Sequence, residues 1–282
     1  MPFVRSLIAC VVAVVGLVLH AAEPAYESPY RVEFAYPVEE LIPDILHGTR
    51  GAPRHMARVP LAEWYSPATK RKYGEWGPPL AHLPVPEVSL RRPAEWKRER
   101  VIATGMRYVG ISYQHHHVPD WDPPADWPWK PVAHGRNAKG VDCSNFVAVA
   151  YDVALGIKPT SDIHKLSEMT EAAVGDGGTV RAHRIDRPGT HELFMTELRT
   201  GDLLFVKNDS GHVSHVVLWV GAIGRSPDRM PLILDSTGEG RKDSNGTFIP
   251  DGVHLRSFTP TSWYFRDASH ALRLIPDDSP PR

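Results

Sequence analysis

Cysteine is almost missing from these 282 residues, which contain only Cys10 and Cys143. An excess of charge of either sign is missing too, since the formal net charge is −1. That balance removes any electrostatic basis for nucleic acid or an anionic membrane surface as a partner. No apolar run approaches the roughly 20 residues that a comfortable bilayer-spanning helix needs. The longest extends only from Leu7 to Leu19. Internal repeats are absent, and residues 24 to 92 show no sustained helical or strand period. Proline, by contrast, is abundant. There are 27, about twice the usual share of ~5%, and eleven of them lie between residues 24 and 92.

The N-terminal stretch "MPFVRSLIACVVAVVGLVLHAAEPAYE" places Arg5 before the apolar run and Ala21 and Ala22 after it. This order predicts a secretory signal peptide over residues 1–22, with a retained anchor as the alternative. Cys10 precedes the apolar run instead of following it, which argues against lipidation there. The expected location is periplasmic or extracellular, without membrane insertion once the signal is gone. Cleavage leaves Cys143 as the sole cysteine. A lone thiol in an exported chain has no disulfide partner within it, so it is either buried and inert or free and reactive.

Residues 23–92 read as a proline-rich arm lying across the main domain, or as a small β-type accessory module. Proline removes a backbone donor and restricts the residue before it, so long helices are excluded here. From residue 93 the pattern changes. "PAEWKRERVIATGMRYVG" predicts a helix with proline in its first turn. In "VDCSNFVAVAYDVALGI", Cys143, Phe146, Val147, Ala150, Tyr151 and Ala154 fall on one face at helical spacing. Asp142 is the expected N-cap and Gly156 the stop. A third helix is expected from Ser161 to Ala173. Beyond residue 200, "GDLLFVK", "VSHVVLWVG", "PLILDST", "GVHLRSF" and "HALRLIP" read as strands. Helices followed by an antiparallel sheet make an α+β fold over residues 93–276, with 277–282 as a loose tail.

A cysteine on an apolar helix face is ordinarily core packing. Position changes that reading. Unpaired N–H groups and the positive end of the helix dipole favour an anionic sulfur in the first turn. The same N–H groups can hold a developing oxyanion. The required base is sought in His215, a titratable residue in the otherwise apolar "VSHVVLWVG". His212, in the preceding turn, is its close rival.

Three ordered motifs, "VDCSNFVAVAYD", "LRTGDLLFV" and "HVSHVVLWVG", resemble those of the NlpC family of papain-like bacterial cell-wall cysteine peptidases. The resemblance covers roughly residues 93 to 276. It implies a papain-like arrangement, with Cys143 as nucleophile, His215 as base and no metal or organic cofactor. Tyr113, in "GISYQ", matches the tyrosine that lines the family's active site ahead of the cysteine. Asp142 and Ser144, either side of the nucleophile, are taken as further substrate-binding candidates.

Two departures from the family pattern concern single positions: Asn145 replaces the usual glycine, and Asp235 stands where a second histidine is usual. A carboxylate can accept the imidazole N–H and stabilise the imidazolium, so Asp235 is the expected third member. A third departure is a long insert, "HHHVPDWDPPADWPWK". Adjacent residues of an extended chain point to alternate faces, so three consecutive histidines rarely converge on one metal ion. One of His115, His116 and His117 is instead expected to face the cleft, with His116 taken as the candidate. Trp121, Trp127 and Trp129 are expected to form a wall or lid, with Trp127 the candidate contact. The alternative is a proline-pinned surface loop.

The resemblance implies a peptidoglycan stem peptide as substrate, cut most often at the D-glutamyl–diaminopimelate bond through a thioester. Two other readings stay open: an amidase or acyltransferase on the same fold, and a non-catalytic wall-binding protein.

Overall fold

A computed structural model of the protein describes residues 26–52, 58–63, 66–73, 81–111, 113, 140–242, 246 and 248–278. The expected signal segment, His115–His117 and all three tryptophans of the insert lie outside the described residues.

Six strands build the main sheet: β1 (His183–Asp186), β2 (Leu203–Lys207), β3 (Val213–Gly221), β4 (Leu232–Thr237), β5 (Gly252–Ser257) and β6 (Ala268–Arg273). Their spatial order is β5-β4-β3-β2-β6-β1, and every neighbouring pair is antiparallel. Side chains alternate between the two faces of a strand. Phe205, Val216, Leu218 and Leu234 join one core, while Leu204, Val206, Val217 and Ile233 join another. Burial on both faces explains why these strands read as nearly continuous apolar runs.

Helices Ala94–Met106 and Cys143–Leu155 pack against each other, and both cover the first face. Every residue of the second helix is buried, not only its apolar stripe. Asp142 caps it, accepting from Asn145 N at 2.8 Å. Gly156 ends it in the left-handed region at φ 64°, as expected. A side chain at Gly156 would meet the Pro84 carbonyl and Val85 N at 2.8 Å, so the position excludes Cβ on two counts. Pro93 gives the first helix no side-chain cap. Asp278, from the far end of the chain, supplies one by accepting from Ala94 N at 3.0 Å.

Among the described residues before residue 93 the helices are short, the longest being Pro67–Tyr73, and the strand Arg31–Val32 pairs antiparallel with Gly224–Arg225. Leu41 and Ile42 bury against Trp96 and Ala103. Fully buried Arg100 grips Asp44 through two hydrogen bonds of 2.9 and 2.8 Å and donates to the Leu41 carbonyl. Arg50 donates to the carbonyls of Asp152, Val153 and Pro84. These contacts cover the sides of the helices that a sequence reading leaves to solvent.

One expectation is corrected. The helix expected from Ser161 to Ala173 stops at Ser167, and Glu171–Val174 is a strand. That strand pairs with Ile157–Lys158 and with Thr179–Arg181. Cross-strand pairing outweighs local helical preference, because propensity is the weaker term. Helices His191–Glu197 and Trp263–Arg266, not foreseen, cover the second face of the sheet.

Candidate active site

Cys143 opens its helix beside the sheet and is 6% exposed. His215 comes from the second-face side of β3. A β-bulge precedes it: Val206 pairs with His215 and Lys207 with Val213, leaving Ser214 as the extra residue. Such a bulge re-aims the neighbouring side chain. Cys143 lies close enough to the His215 ring for its charge to act on the imidazole. The ring's Nε2 lies 2.9 Å from Asp235 Oδ2 on the adjacent strand β4. Nδ1 is thus the nitrogen left for the thiol. His212 is exposed in the turn, where its backbone N–H donates to Asn208 Oδ1.

Asp235 is fully buried and has no unused oxygen. Oδ2 also accepts from the Tyr264 hydroxyl at 2.9 Å, and Oδ1 accepts from Arg256 Nε at 2.8 Å. Burial alone would push this carboxyl up. The Arg256 charge and the His215 and Tyr264 hydrogen bonds outweigh it and hold Asp235 below the ordinary carboxylate range. Tyr264, raised by burial and by the adjacent carboxylate, stays a donor. Burial opposes protonation of His215, but the Cys143 and Asp235 charges and hydrogen bonds prevail, raising it to about 9. The arrangement favours a protonated imidazole, with the Asp235 hydrogen bond fixing the ring's orientation.

A pocket of about 440 Å3 opens in front of the thiol, lined by Tyr113, Asp142, Ser144, Asn145, Ser214 and the segment from Ser161 to His164. Half-buried Tyr113 is raised by burial and by the neighbouring Cys143 and Asp142, so its hydroxyl keeps its proton. Ser144 donates to the Ser161 carbonyl at 2.6 Å, tying the pocket's far wall to the helix start. Asn145 Nδ2 donates to both Asp142 oxygens, at 3.0 and 2.9 Å. Asp142 and Ser144 therefore border the pocket while also holding local structure. His116 and Trp127, the other two substrate-binding candidates, lie outside the described residues.

Sequence reasoning missed Arg256, Tyr264 and the cap contact of Asn145. Arg256 and Tyr264 lie 21 and 29 positions from Asp235. One signal was available: an arginine between apolar neighbours in "GVHLRSF" needs a buried partner. Nothing in the sequence pointed to Tyr264.

No curated protein matches the chain. Among solved structures, an NlpC/P60 family protein from Bacillus cereus ATCC 10987 is similar at 19% identity, with a TM-score of 0.37. The alignment covers 69% of this chain and 42% of that one, so the chain spans less than half of that protein's length. A likeness so distant carries no argument about the site. The motif resemblance is met by a match at the level of the family: residues 130–226, the segment bearing Cys143 and His215, match the NlpC/P60 family.

Proposed function

We propose that the protein is an exported, papain-like cysteine peptidase that hydrolyses amide bonds in peptidoglycan stem peptides. Residues 93–276 form its catalytic domain, and the preceding arm braces the two helices. The observation that carries the reading is His215, hydrogen-bonded to the Asp235 carboxylate and close to Cys143, which opens a buried helix.

The Cys143 thiolate attacks the amide carbonyl carbon, and N–H groups at the helix start hold the tetrahedral oxyanion. As the C–N bond breaks, His215 Nδ1 gives its proton to the leaving nitrogen. The acyl group remains on sulfur as a thioester. Neutral His215 then takes a proton from water, whose oxygen attacks the thioester. Collapse frees the carboxylic acid and restores the ion pair. Asp235 stays ionised throughout and stabilises the imidazolium. The family match and the residues of the pocket support a peptidase or amidase over a purely binding protein. The D-glutamyl–diaminopimelate bond is the proposed point of cleavage.

Digestion of purified peptidoglycan, with fragments identified by mass spectrometry, tests this reading. New peptide termini released by the wild type and absent with Cys143→Ala support it. Equal fragments from both proteins, or none from either, overturn it.

A further inference from the structure

A second pocket, of about 270 Å3, lies behind the aromatic wall of the candidate site. Trp263 and Tyr264 line it, and their rings also stand 5.2 and 6.2 Å from the His215 ring. Arg241, Lys242 and Arg256 contribute three cations, and four serine or threonine side chains add hydroxyls. No acidic residue is among the described residues lining it.

Two of the three cations are not paired with a carboxylate among the described residues, and the third keeps one donor unused. The Arg241 guanidinium stacks over Trp263 at 4.7 Å, and neither it nor Lys242 has a carboxylate partner among the described residues. Arg256 is 3% exposed. It spends Nε on Asp235 and Nη2 on the Pro250 carbonyl, yet Nη1 has no acceptor among the described residues. A buried guanidinium nitrogen without a partner is costly, and native structures usually satisfy such groups. An oxyanion entering the pocket meets fixed donors of the kind that bind carboxylates bidentately.

Position identifies which part of a ligand arrives there. The acyl half of the substrate stays on sulfur, in front of Tyr113 and the segment from Ser161 to His164. The departing half leaves past the imidazole that protonates it, and Trp263 is that ring's neighbour. Arg241 and the His215 ring both lie against Trp263, at 4.7 and 5.2 Å from its ring.

We infer that this pocket is a leaving-group subsite for a free carboxylate carried by the departing fragment. The inference rests on the peptidase reading above for the word "departing", and on the pocket alone for the anion.

Two measurements test the two parts separately. In the first, glutarate and inorganic phosphate are titrated calorimetrically into the full-length Cys143→Ala protein and into Cys143→Ala carrying Arg241→Ala and Lys242→Ala. Arg256 is left untouched because it holds Asp235. Glutarate binding that weakens at least tenfold in the triple variant supports the subsite. No glutarate binding, or binding of phosphate alone, overturns it, and this readout needs no catalysis. In the second, the wild type hydrolyses a stem peptide whose leaving fragment ends in a free carboxylate, and the same peptide amidated there. At least a tenfold lower KM for the acid is expected, with the preference reversed by Arg241→Glu. An acid-to-amide KM ratio near one, or one unmoved by Arg241→Glu, overturns the assignment. If neither peptide is cut by any protein, the peptidase reading fails while the calorimetry still decides the anion site.

Discussion

Asp235 Oδ2 accepts two hydrogen bonds of 2.9 Å, one from His215 Nε2 and one from the Tyr264 hydroxyl. The residue that orients the histidine is therefore itself fixed, and Arg256 holds its other oxygen. Ring, carboxylate, phenol and guanidinium form one buried unit in which each member limits the freedom of the next.

Asp235→Asn disturbs that unit in two ways. The amide can present its NH2 to Nε2 and select the wrong imidazole tautomer, so turnover should fall by on the order of 10^3–10^4. It also leaves the Arg256 guanidinium buried without its counter-charge, which costs about 3–5 kcal/mol. Steady-state kinetics and a melting curve on one preparation check both effects. Unchanged turnover would show that another residue orients His215.

Cys143→Ala should abolish hydrolysis and leave the far-UV circular dichroism spectrum intact, since the substitution removes one sulfur atom. In the wild type, iodoacetamide should alkylate Cys143 at pH 6 faster than it alkylates a small-molecule thiol. Mass spectrometry of the labelled peptide gives the rate. Slower labelling than the model thiol would mark a packed, inert cysteine.

Stability should peak between roughly pH 4 and 6.5. His215 is raised to about 9 in the folded protein, from an ordinary 6.5. Its contribution is complete below the ordinary value and disappears as pH rises through about 9. Asp235 behaves oppositely: its depressed folded value gives stability above the ordinary carboxylate range, lost as pH falls through that value. Melting temperature measured from pH 3 to 10 should decline on both sides. The alkaline decline should flatten in Cys143→Ala, because the sulfur charge is the leading cause that raises His215.

Asn145→Gly should lower the melting temperature by a few degrees. It removes the amide that bridges both Asp142 oxygens and adds backbone freedom inside a helix. Each effect costs about 1 kcal/mol. Scanning calorimetry reads the change, and an unaltered midpoint would reject the bridging role.

Arg100→Met tests the bracing arm. The guanidinium is fully buried and donates to Asp44, to the Ala154 carbonyl and to the Leu41 carbonyl. Its loss should cost about 3–5 kcal/mol by leaving these acceptors unmatched. Limited proteolysis should then cut first between residues 26 and 52. Cleavage unchanged in rate and place would mean that the arm is held by apolar packing alone.

Periodic and local features were legible in the amino-acid sequence. Apolar spacing and the Asp142 and Gly156 signals marked the helix Cys143–Leu155 from end to end. All five strands read beyond residue 200 are present, since a strand buried on both faces appears as a short apolar run. The pairing of Cys143 with His215 and Asp235 came through motif order, which lists residues without measuring the distance between them. Elsewhere the tertiary structure decided. Glu171–Val174 is a strand only because Ile157–Lys158 and Thr179–Arg181 flank it. The helix Ala94–Met106 takes its cap from Asp278, 184 positions away. Arg256 and Tyr264 meet Asp235 because the sheet's register and the second-face helix bring them there. Local preference acts over a few residues at tenths of a kcal/mol each. Buried charge and long-range pairing carry several kcal/mol, and they depend on partners that no sequence window contains.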